Sequence, residues 1–169
     1  MIRHVLFTGE IGSGKSTALR RTLALLGMNV CGLETYSPEP RGVLPKRLFL
    51  RAYGGDEPGQ LLCVLPDGDK SGIAPAFDSL GAALLARARE QGEVIVIDEI
   101  GRLEHSASFY HAALQKCLDG DKPIVGVIRK LKAPWADWIR SRGDVLLLEV
   151  TQENRDSLPY LAVKTLNKK

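Results

Sequence analysis

The sequence predicts an α/β fold, a mostly parallel sheet covered by helices on both faces with a β-hairpin inserted near one end. Three observations predict it. Short, largely apolar runs (HVLFT at 4–8, VIVI at 94–97, PIVGVI at 123–128 and VLLLEV at 145–150) alternate with stretches of helical period. Runs without polar alternation are those of strands buried on both faces. Two further β-like runs, 46–53 and 60–65, flank the turn cluster GGDEPG and read as an antiparallel hairpin.

In chain order, 4–8 is a first buried strand, followed by the glycine-rich stretch TGEIGSGKST. Residues 16–26 place Leu19, Leu23 and Leu26 on one helical face, with Gly27 as the stop. Val30–Leu33 is a second strand. Residues 34–45, rich in Pro, Gly and charge, read as a loop, as does PDGDKSGIAP at 66–75. Residues 76–91 are helical, with Leu80, Leu84 and Ala88 on one face and Gly92 after them. The apolar run 93–97 then leads into Asp98-Glu99. A helix over 106–118 is expected to turn Phe109, Ala112, Ala113 and Cys117 inward. A short helix over 134–142 carries Trp135, Trp138 and Ile139, the two tryptophans reading as core rather than as a base-stacking platform. After the strand 145–150, residues 151–167 read as a terminal helix that Pro159 interrupts or kinks.

At 169 residues the chain is read as a single domain, 1–169, long enough to bury a substantial core. The net charge of +3 and the absence of a block of like charges argue against a dedicated nucleic-acid surface. Cys31, Cys63 and Cys117 are odd in number and far apart, so neither a zinc site nor a disulfide framework is expected. No apolar run approaches a membrane span, and a cleaved leader would remove the glycine-rich stretch. A cytoplasmic protein, monomeric by default, is expected.

Gly9-x-x-x-x-Gly14-Lys15-Ser16 fits the phosphate-binding loop (Walker A) pattern at every fixed position. Glycines let successive backbone N–H groups turn inward as an anion nest, and the helix N-terminus that follows adds its own donors and dipole. The whole stretch, Gly9, Glu10, Ile11, Gly12, Ser13, Gly14, Lys15, Ser16 and Thr17, is therefore assigned to nucleotide phosphates. Lys15 would reach the β- and γ-phosphates, Ser16 would ligate Mg²⁺ and Thr17 would meet the α-phosphate. The pattern stands where its chemistry needs it, between a strand and a helix.

Asp98 ends a buried strand, where a carboxylate can hold a Mg²⁺-bound water opposite Ser16. Glu99 beside it can orient and polarise an attacking water. Adjacent strand residues face opposite ways, so a local turn is needed to aim both carboxylates at one site. Arg129, at the end of the 123–128 strand, is the favoured cation for charge on the transferring phosphoryl group, with Arg102 a second candidate. Thr8/Gly9, Asp98 and Arg129 all fall at strand carboxyl ends, where ligands of such sheets sit. The basic stretch 129–142 reads as a solvated helix face rather than a lid.

These segments resemble the cancer-related nucleoside-triphosphatase family of small P-loop NTPases. The likeness runs through RHVLFTGEIGSGKST, IDEIGRLE with its following Ser-x-x-Phe, PIVGVI, and IRSRGDVLLLEVTQENRDSLP. It implies a RecA-like P-loop fold and slow hydrolysis of several nucleoside triphosphates with Mg²⁺. Gly9 to Thr17 would bind phosphates, Asp98 would serve the metal and Glu99 would activate water. Asn154 and Arg155 match the closing motif, in base contact or helix capping. The chain departs from the family pattern in the prolines of 34–41 and in Arg102, where a Lys is usual. Two other readings stay open: a small-molecule or nucleotide kinase, and a nucleotide-dependent switch or binding module.

Overall fold

The computed structural model describes residues 1–168. The strands are β1 (His4–Thr8), β2 (Val30–Tyr36), β3 (Lys46–Ala52), β4 (Gln60–Leu65), β5 (Val94–Ile100), β6 (Ile124–Ile128) and β7 (Val145–Glu149). They form one seven-stranded sheet in the order β4-β3-β2-β5-β6-β1-β7. Strands β2, β5, β6, β1 and β7 run parallel, and the β3–β4 hairpin extends the β2 edge antiparallel. The α/β fold, with its mostly parallel sheet and hairpin insertion, is as the sequence predicts. Strand β6 lies between the phosphate-loop strand β1 and the acidic strand β5.

Alternate residues of the parallel strands feed two separate cores, which is why their sequences read apolar throughout. Val5, Phe7, Val94, Val96, Val125 and Val127 pack toward Ala18, Leu19 and Leu23 of α1 (Lys15–Leu26). The opposite face carries Leu6, Leu33, Ile95, Ile97, Ile124 and Ile128. It is covered by α2 (Ile73–Ala76), which passes through a wider π-helical turn (Phe77–Gly81) into α3 (Ala82–Gln91), and by α4 (Ser108–Leu118) and α5 (Pro134–Ser141). Helix α6 (Leu158–Leu166) joins α1 on its side through Leu158 and Ala162.

Four local expectations are corrected. The second strand runs on to Tyr36, because the charges that suggested a loop are satisfied within the sheet: Arg51 Nε donates to Glu34 Oε1 at 2.8 Å and its guanidinium lies 3.8 Å from the centre of the Tyr36 ring. The helix begins at Ile73, with Pro75 in the first turn, where its missing N–H leaves no bond unmade. Helix α4 is turned about its axis from the expected face. Tyr110, Leu114, Cys117 and Leu118 are buried, while Phe109 is 73% exposed and Ala112 also faces outward. Tyr110 fixes that rotation by meeting Phe77 edge-on at 5.1 Å while its N–H donates to Asp78. Finally, Pro159 does not break a terminal helix; it opens one, and residues 152–157 form turns ahead of it.

Candidate active site at the carboxyl edge of the sheet

The glycine-rich stretch leaves β1 and enters α1 as the sequence requires. Gly14 caps α1 in the left-handed region (φ 103°), and Gly9 (φ 146°) has no room for a side chain, since a Cβ there would lie 2.6 Å from the Val150 carbonyl oxygen. The loop curls around Lys15, whose Nζ donates to the carbonyls of Gly9 (3.0 Å) and Glu10 (2.8 Å). Burial lowers the Lys15 pKa, opposed chiefly by the Glu99 carboxylate.

Strand β5 solves the problem of two adjacent carboxylates. Asp98 follows Val94 and Val96 toward the α1 face, where the Ser16 hydroxyl donates to its Oδ1 at 3.3 Å. Against β6, Asp98 pairs with Val127 but Ile100 pairs with Ile128, so Glu99 is an extra residue, a β-bulge. Ile100, not Glu99, then joins Ile95 and Ile97 in the opposite core. Glu99 is released to the sheet edge, where it meets Arg129 Nε at 2.5 Å. Burial raises the Asp98 pKa to about 6, with the Ser16 hydrogen bond acting against it and Glu99 and Glu34 reinforcing it. Burial also raises Glu99, opposed by Arg129 and Lys15.

A pocket of about 410 Å³ brings together Ile11, Gly12, Gly14, Lys15, Ser16, Thr17, Glu99, Arg129 and Arg155. Most of the expected site residues thus meet. Ser13 is buried against the loop, and the Glu10 side chain points outward to Lys130 at 3.2 Å. Asn154 does not line the pocket. Its Oδ1 accepts from the Thr151 N–H and its Nδ2 donates to the Glu149 carbonyl, both at 2.8 Å, which braces the turn that carries Arg155 to Gly14. Arg102 lines a neighbouring cleft rather than this pocket. Within the rest of the basic stretch, Arg140 holds the Arg129 and Leu131 carbonyls and Arg142 pairs with Asp119 and Asp144, while Lys132 is exposed. Trp135 packs against the core and stacks on His111 at 4.8 Å, whereas Trp138 is 40% exposed.

Two residues escaped the sequence reading. Arg41, from the proline-rich loop after β2, lies against Gly12 in the phosphate-loop pocket. No spacing marks it, because it arrives from a loop with no periodicity. Glu104 is 1% exposed, and its Oε1 accepts the Gly101 N–H at 2.7 Å, closing the turn that follows β5. Its position three residues beyond Gly101 was the available signal. Burial pushes its pKa up to about 8, against the hydrogen bond from Gly101. Because the folded value lies above the ordinary 4.5, its contribution to stability is complete below that pH and is lost as pH rises through about 8. Glu104→Gln, which keeps the acceptor without the titration, is expected to match the wild type near pH 5. Near pH 8.5 it should exceed it by on the order of 1–3 kcal/mol in urea unfolding. Parallel stability profiles for the two proteins across that range would refute this.

Comparison with known proteins agrees with this geometry. The profile of the NTPase family matches residues 4–162. Nucleoside-triphosphatase THEP1 of Thermofilum pendens is 32% identical over 176 residues, covering 93% of this chain and 91% of the relative. The solution structure of a human cancer-related nucleoside triphosphatase superposes with a TM-score of 0.71 at 27% identity, covering 99% of this chain and 98% of that one. The crystal structure of THEP1 from the hyperthermophile Aquifex aeolicus shares the fold, with a TM-score of 0.76 at 23% identity over 98% and 99% of the two chains. A match over nearly the whole length, joined to a phosphate loop facing an Asp-Glu strand end, places this chain in the NTPase family.

Proposed function

We propose that residues 1–169 form one nucleoside-triphosphatase domain that hydrolyses the terminal phosphoanhydride of nucleoside triphosphates to a diphosphate and phosphate. In this reading it is Mg²⁺-dependent, broad in base preference and slow in turnover. The observation that carries the reading is the meeting of Lys15, Ser16, Asp98 and Glu99 at one strand edge, with the Ser16 hydroxyl 3.3 Å from the Asp98 carboxylate.

The Ser16 and Asp98 oxygens are hard donors, and they fit Mg²⁺, which takes one or two carboxylates together with phosphate oxygens and waters. The Ser16 hydroxyl and the Asp98 carboxylate, already in contact with each other, are the residues that would hold it. When bound, the ion would neutralise charge on the phosphate oxygens. The chain's own residues do the rest. The loop N–H groups and the α1 terminus cradle the polyphosphate, and Lys15 holds its terminal oxygens. Arg41 and Arg155 add positive charge at the pocket wall. Glu99 accepts the proton of the attacking water, and Arg129 steadies charge on the transferring group. Asn154 acts one step back by bracing Arg155. The ion pair between Glu99 and Arg129, at 2.5 Å, supports slow turnover, since the carboxylate is already engaged before water reaches it. A pocket lined by cations and loop amides, groups that recognise phosphate rather than base, supports breadth toward bases.

Phosphate release from ATP, GTP, CTP and UTP tests this directly. All four are expected to be hydrolysed at rates within about tenfold of one another, and EDTA is expected to abolish release, since breadth requires less than about 1.4 kcal/mol of discrimination. No release above the spontaneous rate, or release from one nucleotide only, would overturn the reading. No helix among the described residues is long and apolar enough to cross a membrane.

A further inference from the structure

Beside the phosphate-loop pocket lies a larger cleft of about 1010 Å³, between the β3–β4 hairpin, the turn after β5 and the segment after β6. The two share Ser16, Glu99 and Arg129. Gly12, Lys15, Thr17 and Arg155 line only the smaller pocket. The cleft therefore opens on the Ser16–Glu99 side, where the terminal phosphate would lie, and away from Arg155. An attacking water needs about 30 Å³, whereas a space this large is at the upper end of those that enclose a whole organic ligand.

The lining says what kind of ligand. Leu48, Leu65, Leu103 and Leu131 are half-buried hydrophobic side chains that wall the cleft. Around them stand Lys46, Lys70, Arg102 and Lys132, none within 4.0 Å of a carboxylate among the described residues. Three acids face the same space: Glu99 is paired with Arg129, Asp98 accepts from the Ser16 hydroxyl, and Glu104 accepts from the Gly101 N–H, so cations outnumber the unpaired acids. Four unpaired cations around an apolar wall suit an anion with an apolar body, and a phosphate monoester supplies the charge that several cations can share. We propose that this cleft binds a second ligand, an organic phosphate monoester with an apolar body, alongside the terminal phosphate of the bound triphosphate. The proposal rests on the smaller pocket being the triphosphate site only for the identity of its neighbour.

Phenyl phosphate is a suitable probe, a single phosphate on a flat apolar ring. The full chain is first titrated with a non-hydrolysable ATP analogue and Mg²⁺, which reads the smaller pocket alone. Phenyl phosphate is then titrated calorimetrically into the loaded protein, so that the phosphate loop is no longer open to it. One equivalent is expected to bind, with Kd on the order of 0.1–1 mM, and benzyl alcohol, lacking the phosphate, is not. Lys70 and Lys132 are exposed loop residues on different walls. Lys70→Glu and Lys132→Glu are each expected to weaken phenyl phosphate binding at least about tenfold. The proposal is overturned if phenyl phosphate binds only the unloaded protein, if it does not bind at all, or if both variants bind it as the wild type does. Failure of the analogue to bind in the first titration would instead remove the triphosphate reading, and the two results are read separately.

Discussion

Lys15→Ala is expected to lower kcat/KM for every nucleoside triphosphate by about 100-fold or more. The ammonium group stands in the concavity of the loop, held by the Gly9 and Glu10 carbonyls at 3.0 and 2.8 Å. It is thus positioned before substrate arrives, and little reorganisation accompanies its use. Arg41, Arg129 and Arg155 line the same pocket and keep part of the attraction for polyphosphate. The loss should therefore fall more on kcat than on KM, as for an interaction that strengthens while charge moves onto the bridging and terminal oxygens. Lys15→Arg should not restore the rate, because a planar guanidinium cannot occupy the point between two loop carbonyls that an ammonium fills. Steady-state phosphate release with ATP and GTP checks both variants. A Lys15→Ala protein within twofold of wild type would remove the phosphate loop from the reaction.

Much of this site is legible in the sequence because it rests on local rules. The glycine spacing dictates the loop, and the apolar strands dictate which ends face a ligand. Hence Lys15, Ser16, Asp98, Glu99 and Arg129 converge as their positions in the chain require. What the sequence leaves open is decided by tertiary partners. Glu34 and Tyr36 read as loop residues until Arg51, seventeen residues on from Glu34, satisfies both from the neighbouring strand. The rotation of α4 is set by Tyr110 packing on Phe77, so an apolar Phe109 can face water although its chemistry argues otherwise. Asn154 and Arg155, adjacent in one motif, part company: the amide goes to the turn and the guanidinium to the pocket. Arg41 arrives from a segment without periodicity, and only the folded chain shows it against Gly12. The cleft beyond Glu99 has no motif, since its walls come from stretches far apart in the chain, from Ser16 to Ala133.

Glu99→Gln is expected to retain Mg-nucleotide binding while hydrolysis falls at least about tenfold. The amide keeps the size of the side chain but cannot take the proton of an attacking water. Arg129 complicates a simple reading, and usefully. In the wild type its guanidinium lies 2.5 Å from Glu99, so the two side chains act as a pair. Removing the carboxylate charge frees Arg129 for the phosphate, which should leave nucleotide affinity equal or slightly tighter even as turnover drops. Arg129→Ala alone releases Glu99 but takes a cation from the pocket, so it should raise KM as well as lower kcat. Because each group sets the state of the other, the double variant is expected to lose less than the sum of the two single losses. Four titrations with a non-hydrolysable analogue and four rate measurements complete the cycle. Strictly additive effects would mean that the pair does not act together, and a Glu99→Gln protein with undiminished turnover would move the proton acceptor to another residue.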